Sequence, residues 1–178
     1  MTSLPSTPAM PHGGPLVAHT KSVDDTRALA ADVASLAKAG DIILLAGDLG
    51  TGKTAFTQGF ARGLGVTEQV TSPTFTLVRP YKGRLGLLHA DIYRLDHLRE
   101  VADLGLIEQL EDQAAVCCME WGDLAEPMLP PDFLEVRLEY TDADDERRIA
   151  FRTVGAPWAA RRAALARAVD RWLAEPAG

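Results

Sequence analysis

The 178-residue sequence contains no asparagine, only two cysteines and no apolar run long enough to span a membrane. Without asparagine there is no N-K-x-D motif, by which GTPases normally recognise guanine, and the D-x-x-G motif that would follow the second strand is also absent. Positive charge is scarce as well, because 18 Lys and Arg against 25 Asp and Glu give a net charge of −7. Proteins that grip nucleic acid directly usually carry a basic face. These absences argue against a GTPase, and they indicate that any RNA role needs a partner to hold the RNA.

The two cysteines, Cys117 and Cys118, are adjacent in the sequence. Neighbouring residues of a strand point to opposite faces, so this pair suits neither a metal nor a disulfide. We therefore interpret them as small buried side chains of a protein in a reducing compartment, and we expect a cytoplasmic protein.

The first 15 residues are rich in proline, glycine and small polar residues. They have neither the basic start nor the apolar centre of a secretory signal. This composition predicts a disordered tail over residues 1–15, followed by one domain over residues 16–176.

Apolar strands alternate with amphipathic helices along the rest of the chain, which predicts an α/β sandwich. A buried strand is expected in "DIILLAG", and further strands in "PLVAHT", "TFTLVR", "GRLGLLHADIYRL" and "AVCCMEW". The segments "FLEVRLEY" and "RRIAFRTV" flank an acidic turn and predict an antiparallel hairpin. Helices are expected from an N-cap at Ser22 to a stop at Gly40, in "KTAFTQGFARGLG", in "LIEQLED" and near the C-terminus.

The strongest motif is "GDLGTGKT", residues 47–54, which fits the phosphate-loop pattern G-x-x-x-x-G-K-[ST]. A predicted strand precedes it and a predicted helix follows, as the motif requires. Glycines let successive amides face phosphate oxygens, the lysine carries charge to the β- and γ-phosphates, and the threonine offers a hydroxyl to Mg²⁺. The predicted nucleotide-binding residues are Gly50, Thr51, Gly52, Lys53, Thr54 and Ala55.

Two acidic residues, Asp91 and Glu120, end apolar strands downstream of this loop. Buried parallel strands deliver their last residues to the crevice where ligands bind, and Mg²⁺ prefers oxygen ligands. Either acid alone could equally be a loop carboxylate that caps a helix or faces solvent, but the two together favour a functional site. His89, two residues before Asp91, shares its face and is interpreted as a buried, hydrogen-bonded histidine.

Several neighbours of these motifs are candidates with more than one interpretation. Ser72 and Thr74 follow the first helix after the phosphate loop, where GTPases and related switch proteins have a hydroxyl that senses the γ-phosphate. The residues alone slightly favour an ordinary turn. Tyr93 and Arg94 are candidates for lining the site, with a structural role equally open. Trp121 either packs in the core or shields the site from water.

From the residues alone, a phosphate loop serves an assembly ATPase, a small-molecule kinase or a nucleotide-dependent scaffold. A kinase needs an arginine-bearing lid, for which "RPYKGR" is the nearest candidate. That segment lies between two predicted strands and has the pattern of a hairpin turn. A stand-alone kinase is therefore the second hypothesis.

The ordered motifs "GDLGTGKT", "SPTFTLV", "HADIYRL", "LG" at residues 104–105 and "EWGD" resemble the TsaE (YjeE) family over about residues 20–140. The resemblance implies a three-layer P-loop NTPase sandwich, with parallel core strands in a mixed central sheet. It also implies an ATPase that uses ATP and Mg²⁺ in forming threonylcarbamoyladenosine on bacterial tRNA. The implied partners are TsaB and TsaD, through which most of the contact with tRNA would be made, and no membrane is involved.

The resemblance also implies a role for each matching residue. The catalytic residues would be Lys53, Asp91 and Glu120, and the Mg²⁺ ligands would be Thr54 and Glu120. Ser72 and Thr74 would form the switch, and Trp121 would lie beside the catalytic site. One departure is Gly122, where many members have proline after E-W; it changes the local turn and leaves the ligand position intact.

Overall fold

The computed structural model describes residues 13–73, 77–92, 105–121 and 130–173. The seven strands found there are β1 Leu16–Thr20, β2 Ile42–Ala46, β3 Val78–Lys82, β4 Gly86–Asp91, β5 Ala115–Glu120, β6 Phe133–Tyr140 and β7 Arg147–Val154. The helices are α1 Val23–Ala34, α2 Lys53–Gly63, α3 Leu106–Asp112 and α4 Ala156–Ala168, followed by a 3-10 turn over Asp170–Trp172. None of the helices in these ranges has the length and apolar character needed to cross a membrane.

All seven strands form one mixed sheet in the order β1-β7-β6-β2-β5-β4-β3. Its centre is parallel, because β2 pairs in parallel with both β5 and β6, and β4 pairs in parallel with β5. The flanks are antiparallel: β6 and β7 form the predicted hairpin, β1 adds to β7, and β3 pairs with β4. Every residue of β2 is buried, as expected of a strand covered on both faces. The predicted parallel core and C-terminal hairpin are confirmed.

Helices cover both faces of this sheet, which confirms the three-layer α/β fold. On one face α1, α2 and α4 pack through residues such as Leu29, Phe60 and Trp158. On the other face α3 packs through Leu106 and Leu110 against β2, β4 and β5. The sheet therefore brings the carboxyl ends of its parallel strands to the edge at which α2 begins.

The first helix begins as predicted and ends earlier. The hydroxyl of Ser22 accepts a hydrogen bond from the amide of Asp25 at 3.1 Å, so the predicted N-cap is confirmed. The prediction that Gly40 stops the helix is wrong, because α1 ends at Ala34. Gly40 instead turns the chain toward β2, with φ of +89° and its amide donating to the Ala115 carbonyl at 2.8 Å.

The strand predicted in "TFTLVR" is also displaced: β3 runs from Val78 to Lys82, and residues 74–76 lie outside the described part of the chain. Pro80 is tolerated within β3 because this strand is at the edge of the sheet. The kinase-lid candidate "RPYKGR" thus belongs to β3 and to its connection to β4, as its hairpin pattern indicated. Most of the predicted tail, residues 1–12, lies outside the described residues.

Candidate functional site

The phosphate loop joins the buried end of β2 to the start of α2 and follows a path that requires glycine. Gly50 and Gly52 have φ of +79° and +105°, in the left-handed region where a side chain adds strain. At Gly47 a Cβ atom would overlap the backbone carbonyl oxygen of Leu138 on β6. The glycines of the motif therefore allow the loop to fold tightly against the neighbouring strand.

The amino end of α2 has no side-chain cap, because its N-cap residue is Gly52. Lys53, Thr54 and Ala55 form the first turn, whose amides have no acceptor further back in the helix. Those amides and the helix dipole give this end a partial positive charge. Such an end is well suited to bind phosphate.

Lys53 is buried and folds back over its own loop. Its Nζ donates hydrogen bonds to the carbonyl oxygens of Gly47 at 2.7 Å and Asp48 at 2.9 Å. The same Nζ lies 4.0 Å from the centroid of the Trp121 ring, within range of a cation–π interaction. Trp121 has φ of +62°, a backbone conformation uncommon for residues other than glycine. The structure thus brings the tryptophan that follows Glu120 to the phosphate loop.

Asp91 and Glu120 are the last residues of β4 and β5, as the sequence predicted, and they are direct partners in the parallel register. Each accepts a hydrogen bond from a hydroxyl group of the candidate site. Thr54 Oγ1 donates to Glu120 Oε1 at 3.0 Å, and Ser72 Oγ donates to Asp91 Oδ2 at 3.3 Å. The phosphate loop, both acids and one candidate switch residue therefore meet at the same edge of the sheet.

His89 is buried and hydrogen-bonded, as predicted, and its partner is a candidate metal ligand. Its Nε2 lies 2.8 Å from Glu120 Oε1. Sequence reasoning found the histidine and missed this partner. The alternation of β4 and β5 could have indicated it, since His89 and Asp91 share a face and Asp91 is paired with Glu120.

Tyr140 and Arg147 also support the loop, and sequence reasoning missed both. The Tyr140 hydroxyl donates to the Leu49 carbonyl at 2.6 Å, and Arg147 Nε donates to the Thr51 carbonyl at 3.1 Å. The Arg147 guanidinium lies 4.7 Å from the centroid of the Tyr140 ring. Tyr140 is the last residue of β6, a strand parallel to β2. Parallel strands deliver their last residues to the ligand-binding crevice, and the reasoning that found Asp91 and Glu120 in this way could also have found Tyr140.

Three predicted site residues, Thr74, Tyr93 and Arg94, lie outside the described residues, as does Gly122. Their assignments remain predictions.

The cysteines take no part in the site. Cys117 and Cys118 are free thiols, buried in the apolar layers on opposite faces of the sheet, which confirms that they are small buried side chains. Burial raises the pKa of the Cys117 thiol to about 12. Burial, with the nearby Cys117 and Glu120, also raises the pKa of Cys118 well above its usual value.

Comparison with known proteins gives the same family as the motifs. Residues 20–149 match the family described as "Threonylcarbamoyl adenosine biosynthesis protein TsaE". The chain belongs to the TsaE family. Among its relatives, the "tRNA threonylcarbamoyladenosine biosynthesis protein TsaE" of Bacillus subtilis is 47% identical over 137 residues, which cover 76% of this chain and 84% of the relative. The protein of the same name from Treponema pallidum is 40% identical over 130 residues, covering 73% of this chain and 95% of the relative.

A solved structure has the same fold as this chain. The crystal structure of Bacillus subtilis YdiB is 40% identical to this chain and superposes with a TM-score of 0.74. The superposition covers 88% of this chain and 97% of YdiB. The predicted fold class and the resemblance to TsaE are therefore confirmed.

Proposed function

We propose that this TsaE-family chain is the ATP-binding and ATP-hydrolysing subunit of the system that forms threonylcarbamoyladenosine on tRNA. The observation that carries the proposal is the Thr54–Glu120 hydrogen bond, which joins the end of the phosphate loop to the end of β5. A phosphate loop joined to a strand-end acid is typical of an enzyme that uses a nucleotide. The relatives of this chain are named for the tRNA modification, which supplies the process that the nucleotide would serve.

The phosphate loop supports binding of the ATP phosphates. The uncapped first turn of α2 offers amides to phosphate oxygens, and Lys53 supplies the balancing charge. In the structure the Lys53 ammonium is held by the carbonyls of Gly47 and Asp48, which are neutral acceptors. A phosphate carries full negative charge and is a stronger partner, so the nucleotide would draw Lys53 out of these bonds.

The donor set of the site fits Mg²⁺. The Thr54 hydroxyl and the Glu120 carboxylate are hard oxygen donors, and they already lie within hydrogen-bonding distance of one another. Mg²⁺ usually takes one or two protein carboxylates and completes its shell with water and substrate phosphates. When bound, it neutralises the charge on the β- and γ-phosphates.

Asp91 and Glu120 are assigned different roles because their surroundings differ. Glu120 is buried and accepts two hydrogen bonds, from Thr54 and His89, which suits a fixed metal-holding group. Asp91 is only half-buried and accepts a hydrogen bond from Ser72. In our proposal Asp91 orients the attacking water, and Ser72 couples it to the state of the γ-phosphate.

Partner proteins complete this function. The net charge of −7 gives the chain little means of holding tRNA by itself. In our proposal TsaB and TsaD hold and modify the tRNA in the cytoplasm. The ATPase activity of the isolated subunit would then be low and would rise when the partners bind.

The direct test is ATP turnover with and without TsaB and TsaD. We expect the partners to increase turnover, Lys53→Ala to abolish it and Lys82→Ala, at an exposed position of β3, to leave it unchanged. No stimulation by the partners, together with normal tRNA modification in a Lys53→Ala strain, would overturn the proposal.

Two other outcomes would identify the alternative classes. Phosphorylation of a small acceptor in the absence of partners would indicate a kinase. Normal tRNA modification by Asp91→Ala and Glu120→Ala variants that still bind nucleotide would indicate a scaffold, in which hydrolysis has no role.

A further inference from the structure

The contacts of His89 go beyond those of an ordinary core histidine. The side chain has no exposed surface, and Glu120 is only 4% exposed. Nε2 is 2.8 Å from Glu120 Oε1, and because a carboxylate only accepts hydrogen bonds, Nε2 is the donor. The other ring nitrogen, Nδ1, has no hydrogen-bond partner among the described residues. The only hydrogen bond that the imidazole makes there is therefore directed at the carboxylate.

The hydrogen bonds to Glu120 are concentrated on one oxygen. Both Thr54 Oγ1, at 3.0 Å, and His89 Nε2, at 2.8 Å, donate to Oε1. In the described part of the chain no side chain donates to Oε2. Glu120 also lies at the end of β5, so its backbone is fixed by the pairing with β2 and β4. The carboxylate is thus anchored by Oε1, with Oε2 left available for a ligand.

We propose that His89 is a positioning residue, which anchors Glu120 through Oε1 and so sets the affinity of the site for a divalent cation bound with nucleotide. This inference rests on the proposed metal-holding role of Glu120. The groups that hydrogen-bond to metal ligands fix the orientation of those ligands, and losing one typically weakens metal binding by about 10–100-fold.

Binding of Mn²⁺ in the presence of saturating ADP tests this proposal, since Mn²⁺ accepts the same oxygen ligands and its free form is measured directly by electron paramagnetic resonance. Two amide variants are matched. In His89→Gln the side-chain nitrogen reaches nearly as far as Nε2, whereas in His89→Asn it stops near the position of Nδ1. We expect His89→Asn to weaken Mn²⁺ binding by about 10–100-fold and His89→Gln to weaken it by less than about tenfold. ADP affinity measured in EDTA should be the same for both variants and the wild type.

Glu120→Gln, measured in the same way, separates failure of this inference from failure of the proposed function. If Glu120→Gln weakens Mn²⁺ binding and folded His89→Asn does not, then His89 only fills space and the inference is overturned. Equal losses in the Gln and Asn variants would also overturn it, because the reach of the donor would not matter. If Glu120→Gln itself binds Mn²⁺ normally, the metal-holding role in the proposed function fails, and this inference fails with it.

A measurement on the wild-type protein covers the case in which the variants do not fold. The chain has four histidines, so nitrogen-15 spectra of the imidazoles are simple to assign. We expect one ring to carry its proton on Nε2 in a slowly exchanging hydrogen bond, and its Nε2 signal to shift when Mg²⁺ is added to the ADP complex. A signal that ADP in EDTA shifts as much as Mg²⁺ with ADP would contradict the coupling to the metal.

Discussion

A buried ion pair between Arg161 of α4 and Asp41, just before β2, allows a quantitative prediction about stability. The guanidinium binds both carboxylate oxygens, at 2.6 and 2.8 Å, and also donates to the Leu36 carbonyl at 3.0 Å. It stacks on the Trp158 ring at 3.8 Å from the centroid. The two side chains are only 11% and 10% exposed. This pair therefore joins the last helix to the start of the central strand.

Replacing Arg161 with alanine leaves the Asp41 carboxylate buried, and among the described residues only the Lys38 amide would still donate to it. Removing one partner of a buried ion pair costs about 3–5 kcal/mol, and the residual exposure favours the lower end, about 3 kcal/mol. For a domain of this size each kcal/mol lowers the melting temperature by about 2–4 °C, so we expect a decrease of about 6–12 °C. Nucleotide affinity should be unchanged below the transition, because Asp41 lies at the end of β2 opposite the phosphate loop.

Arg171 provides a matched control, because it also stacks on a tryptophan and pairs with an aspartate. It lies 3.8 Å from the centroid of the Trp172 ring and 3.2 Å from Asp32, but these paired side chains are 64% and 42% exposed. We expect Arg171→Ala to cost less than about 1 kcal/mol. Urea denaturation followed by circular dichroism measures both losses. If Arg161→Ala costs no more than Arg171→Ala, burial does not strengthen this pair and the reasoning is refuted.

Three further predictions concern the loop support, the thiols and helix packing. Tyr140→Phe removes the hydroxyl that donates a hydrogen bond to the phosphate loop. Because a hydrogen bond contributes about 0.5–1.5 kcal/mol net, we expect calorimetry to show ADP binding weakened by about 2–10-fold. Unchanged affinity would contradict a supporting role. Burial raises the pKa of Cys117 to about 12, so its thiol stays protonated at pH 9. A thiolate-specific reagent should therefore label Cys117 only after unfolding. Rapid labelling of the native protein would contradict this expectation. Gly59→Ala gains about 0.5–1 kcal/mol of helix propensity. The new Cβ would, however, overlap the Arg27 carbonyl oxygen, and overpacking of this kind costs about 1–3 kcal/mol. We therefore expect a net loss of stability in urea denaturation. The control Gly14→Ala should not show this loss, because its new Cβ would meet no atom of the described residues within 4 Å apart from its chain neighbours.

The parts of the fold that sequence predicted well are those with a local physical cause. The strand β2 is a short apolar run, and α2 begins at the lysine of the phosphate motif, so each has its signal within its own residues. The cap at Ser22 is equally local. The prediction that Gly40 ends the first helix was wrong because glycine is compatible with both a helix end and a turn. The contact that selects the turn comes from Ala115, far along the chain. The displaced β3 has a similar cause, since the pairing with β4, rather than the alternation in "TFTLVR", defines its bounds.

In the candidate site too, the residues with a local sequence signal were predicted, and those placed by contacts between distant segments were missed. Asp91 and Glu120 were found because an acidic residue at the end of an apolar strand is conspicuous in the sequence. Tyr140 ends β6 in the same position relative to the loop, but a tyrosine there has the same pattern as a partly exposed strand residue. Its role depends on two facts of topology: β6 lies in parallel beside β2, and the hairpin register places Arg147 opposite Tyr140. In a phosphate-loop sheet, every strand parallel to the loop strand ends at the same edge. Strand-end residues of any type, polar or aromatic, are therefore candidates for contact with the loop, and the register decides which second residue comes with them.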